Sequence, residues 1–334
     1  MTARPHLIKL SIGILVGAVF VYLAVRGVNI GQMLGALADA NYWYVLLAVL
    51  VNMFSHYLRA YRWQYFLAPI KAVNTGSLFS ALVIGYAANA FVPAHLGEFL
   101  RAFVLGKKQN ISASASFASI VIERIIDVFS LILLMVLVIF IHPFPRWVVQ
   151  SGYIMLAGAV GAFILLIGFK RFEAKSTLLI QFLLKPLPQK IGHRLQSMIF
   201  NFLSGVVPLK SNRHYFYVAV LSVAIWFCYA LGYYLCLLAF EFSTFYQLPW
   251  YASLVVLVIT TISIVVPSSP GYVGTFHFLC QVSLVMFGVS ETEALSFATI
   301  AHAVVILPVT LTGLIMANYE GVAIYRTAAQ KIKA

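Results

Sequence analysis

Along the chain, long apolar runs alternate with short polar breaks. A membrane-crossing helix needs about 20 predominantly apolar residues. Six runs fit that template: Ile8–Val25, Tyr42–Leu58, Ala118–Ile141, Val149–Phe169, Tyr215–Phe240 and Ala294–Ala317. Two further regions behave differently. Ser77–Val92 runs into Pro93 and then into Leu96–Gly106, which is too short to cross. Tyr251–Val266 runs into Pro267-Ser268-Ser269-Pro270-Gly271 and then into Tyr272–Gly288. Each region predicts two apolar arms joined by a break within the membrane. The fold class expected is therefore all-α: a polytopic membrane bundle of about six full spans and two broken, re-entrant-like hairpins.

Composition strengthens this reading. Of 334 residues, 62% are hydrophobic and 9% charged, with mean hydropathy +0.96. Soluble domains carry about 45–50% apolar and about 25% charged residues. Every reading that needs a soluble catalytic domain is thereby weakened. The net charge of +13 resembles a nucleic-acid signal, but its distribution assigns it to the membrane. With the N-terminus cytoplasmic and each broken region returning to its starting side, 18 of the 22 Lys and Arg fall on the cytoplasmic side. These include Arg59, Arg62, eight bases between Lys170 and Arg213, and Arg326, Lys331 and Lys333. Only Arg26 and Arg146 fall outside, and Arg101 and Arg124 are left at membrane depth. The positive-inside rule supports this orientation, with both termini cytoplasmic in a cytoplasmic (inner) cell membrane. Arg4 and Lys9 precede the first run as in a signal peptide, but no A-x-A site follows, so a retained span is expected.

The segment 170–213 mixes bases with apolar clusters such as Leu178-Leu179-Ile180 and Met198-Ile199-Phe200. It reads as a cytoplasmic amphipathic helix lying on anionic headgroups, with a solvated loop as the alternative. The rest is one transmembrane domain, with halves of roughly 1–141 and 149–334.

The two breaks share a pattern. Val92-Pro93-x-x-x-Gly97 and Val266-Pro267-x-x-x-Gly271 have the same spacing, and the two hairpins open from opposite sides. Gly/Pro-interrupted segments in corresponding halves point to a transporter's midplane site. Unwound backbone is tolerated in lipid only where it lines protein or water, and the helix N-termini it frees suit an anion such as phosphate. Ser268, Ser269 and Thr275 line the second break as candidate phosphate donors or as simple helix caps. His95 and His277 flank the breaks and are candidate proton or headgroup contacts.

Charged residues within the apolar runs point the same way. Glu98 and Arg101 follow the first break, and Glu123, Arg124 and Asp127 begin a span. Glu123 and Asp127 lie one helical turn apart and repel unless a cation sits between them. Arg59, Arg62 or Arg101 can supply it. An ionisable residue at membrane depth is a functional-site hypothesis by default; the alternative is a structural clamp.

Other chemistry is absent from the pattern. Cys228, Cys236 and Cys280 have no metal-ligand spacing, and the histidines form no HExxH or HxxxH motif. No Walker loop, dinucleotide-binding glycine pattern or nucleophile elbow occurs. Neither a metal nor a cofactor is expected, nor a nucleic-acid partner.

Five motifs then occur in order. They are Arg59-Ala-Tyr-Arg62-Trp63, Gly85-Tyr-Ala-Ala-Asn89, Pro93-x-x-x-Gly97-Glu98-x-x-Arg101, Glu123-Arg124-x-x-Asp127 and Pro267-x-x-Pro270-Gly271-x-x-Gly274. On these residues the chain resembles the flippase-like family named for the membrane region of lysylphosphatidylglycerol synthase. The resemblance implies a lipid-translocating membrane domain. Two positions depart from many members: His95 stands in place of Arg, and His277 in place of Glu. No aminoacyl-transferase domain accompanies the motifs, so synthase activity is not expected.

The expected function is translocation of a phospholipid or polyprenyl-linked lipid. In that reading the headgroup passes the paired breaks and the acyl chains stay in the bilayer. Arg59, Arg62, Arg101 and Arg124 would contact phosphate, with Glu98, Glu123 and Asp127 positioning them. The partners expected are anionic or phosphate-bearing lipids, a separate lipid- or glycan-synthesis enzyme and a further copy of the chain. The alternatives are a lipid-modifying transferase using Glu98 or Asp127 as base, and a scaffold for a partner enzyme.

Overall fold

The computed structural model describes residues 4–92, 96–186, 188–265 and 269–322. Among them the chain is 82% helical and has no strand. Fourteen helices follow one another: α1 (Arg4–Val25), α2 (Ile30–Asp39), α3 (Tyr42–Leu67), α4 (Thr75–Phe91), α5 (Leu96–Gln109), α6 (Ala113–Ile139) and α7 (Arg146–Arg171), then α8 (Glu173–Leu184), α9 (Gln189–Gly205), α10 (Asn212–Ala239), α11 (Phe242–Phe245), α12 (Ala252–Val265), α13 (Thr275–Val285) and α14 (Glu291–Tyr319).

Every expected apolar run is a helix. Among the described residues three helices are long and apolar enough to cross a membrane by themselves: Arg146–Phe169 of α7, together with α10 and α14. α3 and α6 have 26 and 27 residues, about 40 Å at 1.5 Å per residue, enough for a hydrocarbon core of about 30 Å. Their apolar pattern is interrupted by the interior charges Arg59, Arg62, Glu123, Arg124 and Asp127.

Three features differ from expectation. Arg59 and Arg62 are not solvated loop residues, because α3 continues to Leu67 and buries both side chains. Ion pairs with α6 let the helix run on through two arginines. The second feature is α2, which turns 86° from the axis of Leu15–Val25. Asn29 caps it by accepting a hydrogen bond from the Gln32 amide, and the helix packs on α14. The basic segment 170–213 forms two helices rather than one, and α9 rests on α6.

The packing repeats along the chain. α3 packs on α4, and α4 on α5; likewise α10 packs on α12, and α12 on α13. α5 lies on α6 as α13 lies on α14, and α3 and α10 run along each other. The amphipathic α2 sits on α14, while α9, which precedes α10 as α2 precedes α3, sits on α6.

The first break is built from its residues. Val92 is extended (φ −119°, ψ 128°) and ends α4, as the crowding of a following proline demands. Pro93 and His95 lie outside the described residues. The chain returns as α5, whose Gly97 amide donates to Asn89 Oδ1 at 2.7 Å. Asn89 thus reaches across the hairpin to satisfy an amide that the helix start leaves open. A Cβ on Gly97 would collide with the Gly85 carbonyl oxygen and the Asn89 side chain. Gly97→Ala is expected to force the arms apart and destabilise the protein by about 1–3 kcal/mol, read as a lower thermal midpoint in detergent.

At the second break Pro267 and Ser268 lie outside the described residues. Pro270–Tyr272 forms a 3-10 turn with Pro270 in its first turn. Gly271 (φ +62°) and Gly274 (φ +88°) hold left-handed conformations. A Cβ on Gly271 would lie 3.4 Å from the Ala90 carbonyl oxygen, so the two breaks meet.

Candidate functional site

Seven charged residues from three helices converge where α3, α5 and α6 face one another. Glu123 is fully buried. Its Oε1 accepts from Arg59 Nη2 at 2.7 Å and its Oε2 from Arg101 Nη2 at 2.8 Å. Arg62 Nη2 lies 3.7 Å from Glu123 and donates to Asp127 Oδ1 at 2.6 Å. Arg59 also pairs with Asp127, so it is the cation between the two acids. α10 completes the shell: Tyr229 OH accepts from Arg59 at 3.0 Å, and Ser222 Oγ from Arg62 at 2.8 Å. The Arg101 guanidinium lies 3.6 Å from the Trp63 ring centroid, and Trp63 donates its indole N–H to Ser119 at 2.8 Å.

Glu98 does not pair with Arg101 at i+3. It turns to Arg124, 2.6 Å from Arg124 Nε, and Arg124 Nη1 is 3.7 Å from Asp127. Exposure separates the cluster into two layers. The side chains of Arg62, Arg101 and Glu123 are at most 1% exposed, whereas Arg124, Glu98 and Asp127 are 32%, 15% and 13% exposed. The inner layer is a clamp joining α3, α5 and α6. The outer layer is open to a ligand.

It opens on a cavity of about 400 Å³. Arg59, Glu98, Arg124 and Asp127 line it together with Asn52, His56, Tyr86, Asn89, Tyr229 and Tyr272. Its apolar lining comes from α6, α10, α12 and α14, including Leu131, Trp226, Leu257, Val304 and Val309. The cavity thus offers one compartment to a charged group and to hydrocarbon.

Other expected residues lie elsewhere. Arg62, Arg101 and Glu123 stand behind the cavity wall. Ser269 and Thr275 donate to the carbonyl oxygens of Val273 and Tyr272, so their hydroxyls satisfy the turn itself. His277 sits 4.7 Å, ring to ring, from His302. His302 Nε2 lies 2.7 Å from the Gly271 carbonyl oxygen; a carbonyl only accepts, so this nitrogen carries the proton. Asn52, Tyr86, Trp226, Tyr229 and Tyr272 were missed as lining residues. Asn52 and His56 stand one turn apart on the face of α3 that also carries Arg59, a polar stripe readable in an apolar run.

Comparison with known proteins places the chain among membrane proteins. Residues 10–313 match the family described as the lysylphosphatidylglycerol synthase TM region. A UPF0104 membrane protein of Methanothermobacter thermautotrophicus is 24% identical over 339 residues, covering 97% of this chain and 99% of its own length. A UPF0104 membrane protein of Methanocaldococcus jannaschii is 23% identical over 122 residues, 36% of each chain. The glycosyltransferase AglD of Haloferax volcanii is 26% identical over 135 residues, which are 39% of this chain and 22% of that protein. No solved structure matches. The chain is an integral membrane protein and belongs to the lysylphosphatidylglycerol synthase transmembrane-region family.

Proposed function

We propose that this protein moves a lipid across the cytoplasmic membrane, with the headgroup held in the cavity between the two breaks and the acyl chains left in the bilayer. One observation carries the reading: a single cavity is walled by partly exposed Arg124, Glu98 and Asp127 on one side and by apolar side chains on the other. That combination suits an amphiphile. The repeated packing of α3–α6 and α10–α14 supports two inverted halves that rock about the site, as alternating access requires. The charge pattern supports cytoplasmic termini. Movement is passive or driven by an ion gradient, and a separate lipid- or glycan-synthesis enzyme supplies or consumes the lipid.

Reconstitution into liposomes with headgroup-labelled lipids tests this. The expected result is time-dependent loss of protection from a membrane-impermeant quencher, in proteoliposomes but not in protein-free vesicles. If no phospholipid or polyprenyl-linked lipid moves, translocation is wrong. The carboxylates facing the cavity, and the partial likeness to a protein named a glycosyltransferase, favour a second reading, a lipid-modifying transferase. A new covalent lipid product in the same vesicles would establish it.

A further inference from the structure

Asn52 and His56 both line the cavity, in the two turns of α3 that precede Arg59. Each residue is only 6% exposed. Asn52 Oδ1 and both ring nitrogens of His56 nevertheless have no hydrogen-bond partner among the described residues. The Tyr86 ring stands edge-on to His56 at 5.2 Å, a contact that satisfies neither nitrogen. A buried polar atom left unmatched is costly, and folded proteins keep such atoms where water or a ligand completes them. Here three such atoms belong to two residues that line one cavity on successive turns.

Their chemistry restricts what completes them. The amide oxygen accepts, and a neutral imidazole offers one donor and one acceptor. Hydroxyl groups, which both donate and accept, match this set. A quaternary ammonium matches none of it, and a primary ammonium only donates.

The neighbouring charges give a second restriction. Four guanidiniums (Arg59, Arg62, Arg101, Arg124) meet three carboxylates (Glu98, Glu123, Asp127), which leaves one positive charge in the cluster. A phosphodiester carries one negative charge, whereas a phosphomonoester approaches two at neutral pH. The volume of about 400 Å³ lies near the low end of ligand sites, about 300–1,000 Å³. That is room for a headgroup rather than a whole lipid.

Resting on the reading of the cavity as a headgroup site, we infer that its ligand is a phosphodiester lipid with a hydroxyl-rich headgroup such as glycerol, inositol or a sugar. The phosphate meets Arg124 and the hydroxyls meet Asn52 and His56. A phospholipid and a glycosylated phosphopolyprenol share this chemistry.

Binding is measured apart from transport. The purified full chain in detergent is loaded with phosphatidylglycerol carrying a fluorophore on its acyl chain. Unlabelled lipids then compete: phosphatidylglycerol, phosphatidylinositol, a hexosyl-phosphoryl-polyprenol, phosphatidylcholine, phosphatidylethanolamine and phosphatidic acid. The first three are expected to displace at about tenfold lower concentration than the last three, the effect of two hydrogen bonds gained. Their ranking tells phospholipid from polyprenol. Asn52→Leu combined with His56→Phe is expected to shrink the preference below about threefold. Equal displacement by phosphatidylcholine or phosphatidylethanolamine, or stronger displacement by phosphatidic acid, overturns the assignment. The unmodified protein's headgroup series decides the matter even where the double variant fails to fold. A protein with this preference that moves no lipid sinks translocation alone; one that binds and moves lipids regardless of headgroup sinks the ligand assignment alone.

Discussion

Arg124→Ala is expected to slow lipid translocation in proteoliposomes by roughly 10- to 100-fold while leaving a protein that extracts and purifies as a single species. The magnitude follows from losing one hydrogen bond to a charged phosphate, about 1.5–3 kcal/mol. The selectivity of the effect follows from geometry. At 32% exposure Arg124 is the most open charge of the cluster, and its pair with Glu98 reaches the cavity. The pair belongs to the outer layer, so losing it is expected to cost less than breaking the fully buried pairs around Glu123. Arg124→Lys separates charge from shape. It keeps the positive charge but loses the planar fork that grips a phosphate through two N–H groups, so an intermediate rate is expected. A folded Arg124→Ala protein that transports at the full rate would remove this residue from the lipid's path.

The helices of the bundle were legible because apolar run length is a local property. Pro93 and the shortness of Leu96–Gly106 were enough to foresee the hairpin, and Val92 and Gly97 take the conformations that proline and close approach demand. What was not legible depends on partners far along the chain. Arg59 finds Glu123 and Asp127 64 and 68 residues away, and Tyr229 170 residues away. Summing charges by loop places such an arginine in solvent, whereas the like-charged pair Glu123 and Asp127 called for a cation and left Arg59, Arg62 and Arg101 as candidates; only the packing shows that Arg59 bridges both acids. The partners of Glu98 and Arg101 were not legible for the same reason: three residues apart on α5, they pair with Arg124 and Glu123 of α6 respectively. The amphipathic α2 is a single ten-residue helix with Gly31 and Gly35 inside it, too short to stand out among spans. Asn52 and His56 look alike in the sequence whether satisfied or not. Only the packing reveals that they line a cavity and lack partners.

Glu123→Gln is expected to have the largest effect on the fold itself. Its carboxylate faces three guanidiniums, Arg59 at 2.7 Å, Arg101 at 2.8 Å and Arg62 at 3.7 Å, and is fully buried. Neutralising one partner of a buried pair costs about 3–5 kcal/mol, because the stranded charge cannot reach water. Against a typical total stability of about 5–15 kcal/mol, that suffices to lose much of the folded protein on extraction. Since Glu123 lies behind the cavity wall, the loss should register in melting rather than in headgroup preference. Trp63, stacked under Arg101, provides a reporter, and its emission should shift to longer wavelength as the clamp opens. The double variant Glu123→Gln with Arg101→Met removes one charge of each sign and fills the space above Trp63 with an apolar chain. It is expected to recover most of the lost midpoint, since replacing a buried ion pair by apolar residues is often neutral. A double variant as unstable as the single one would mean that uncompensated charge is not what Glu123 prevents. The carboxylate would then matter for the hydrogen bonds that join α3 to α6.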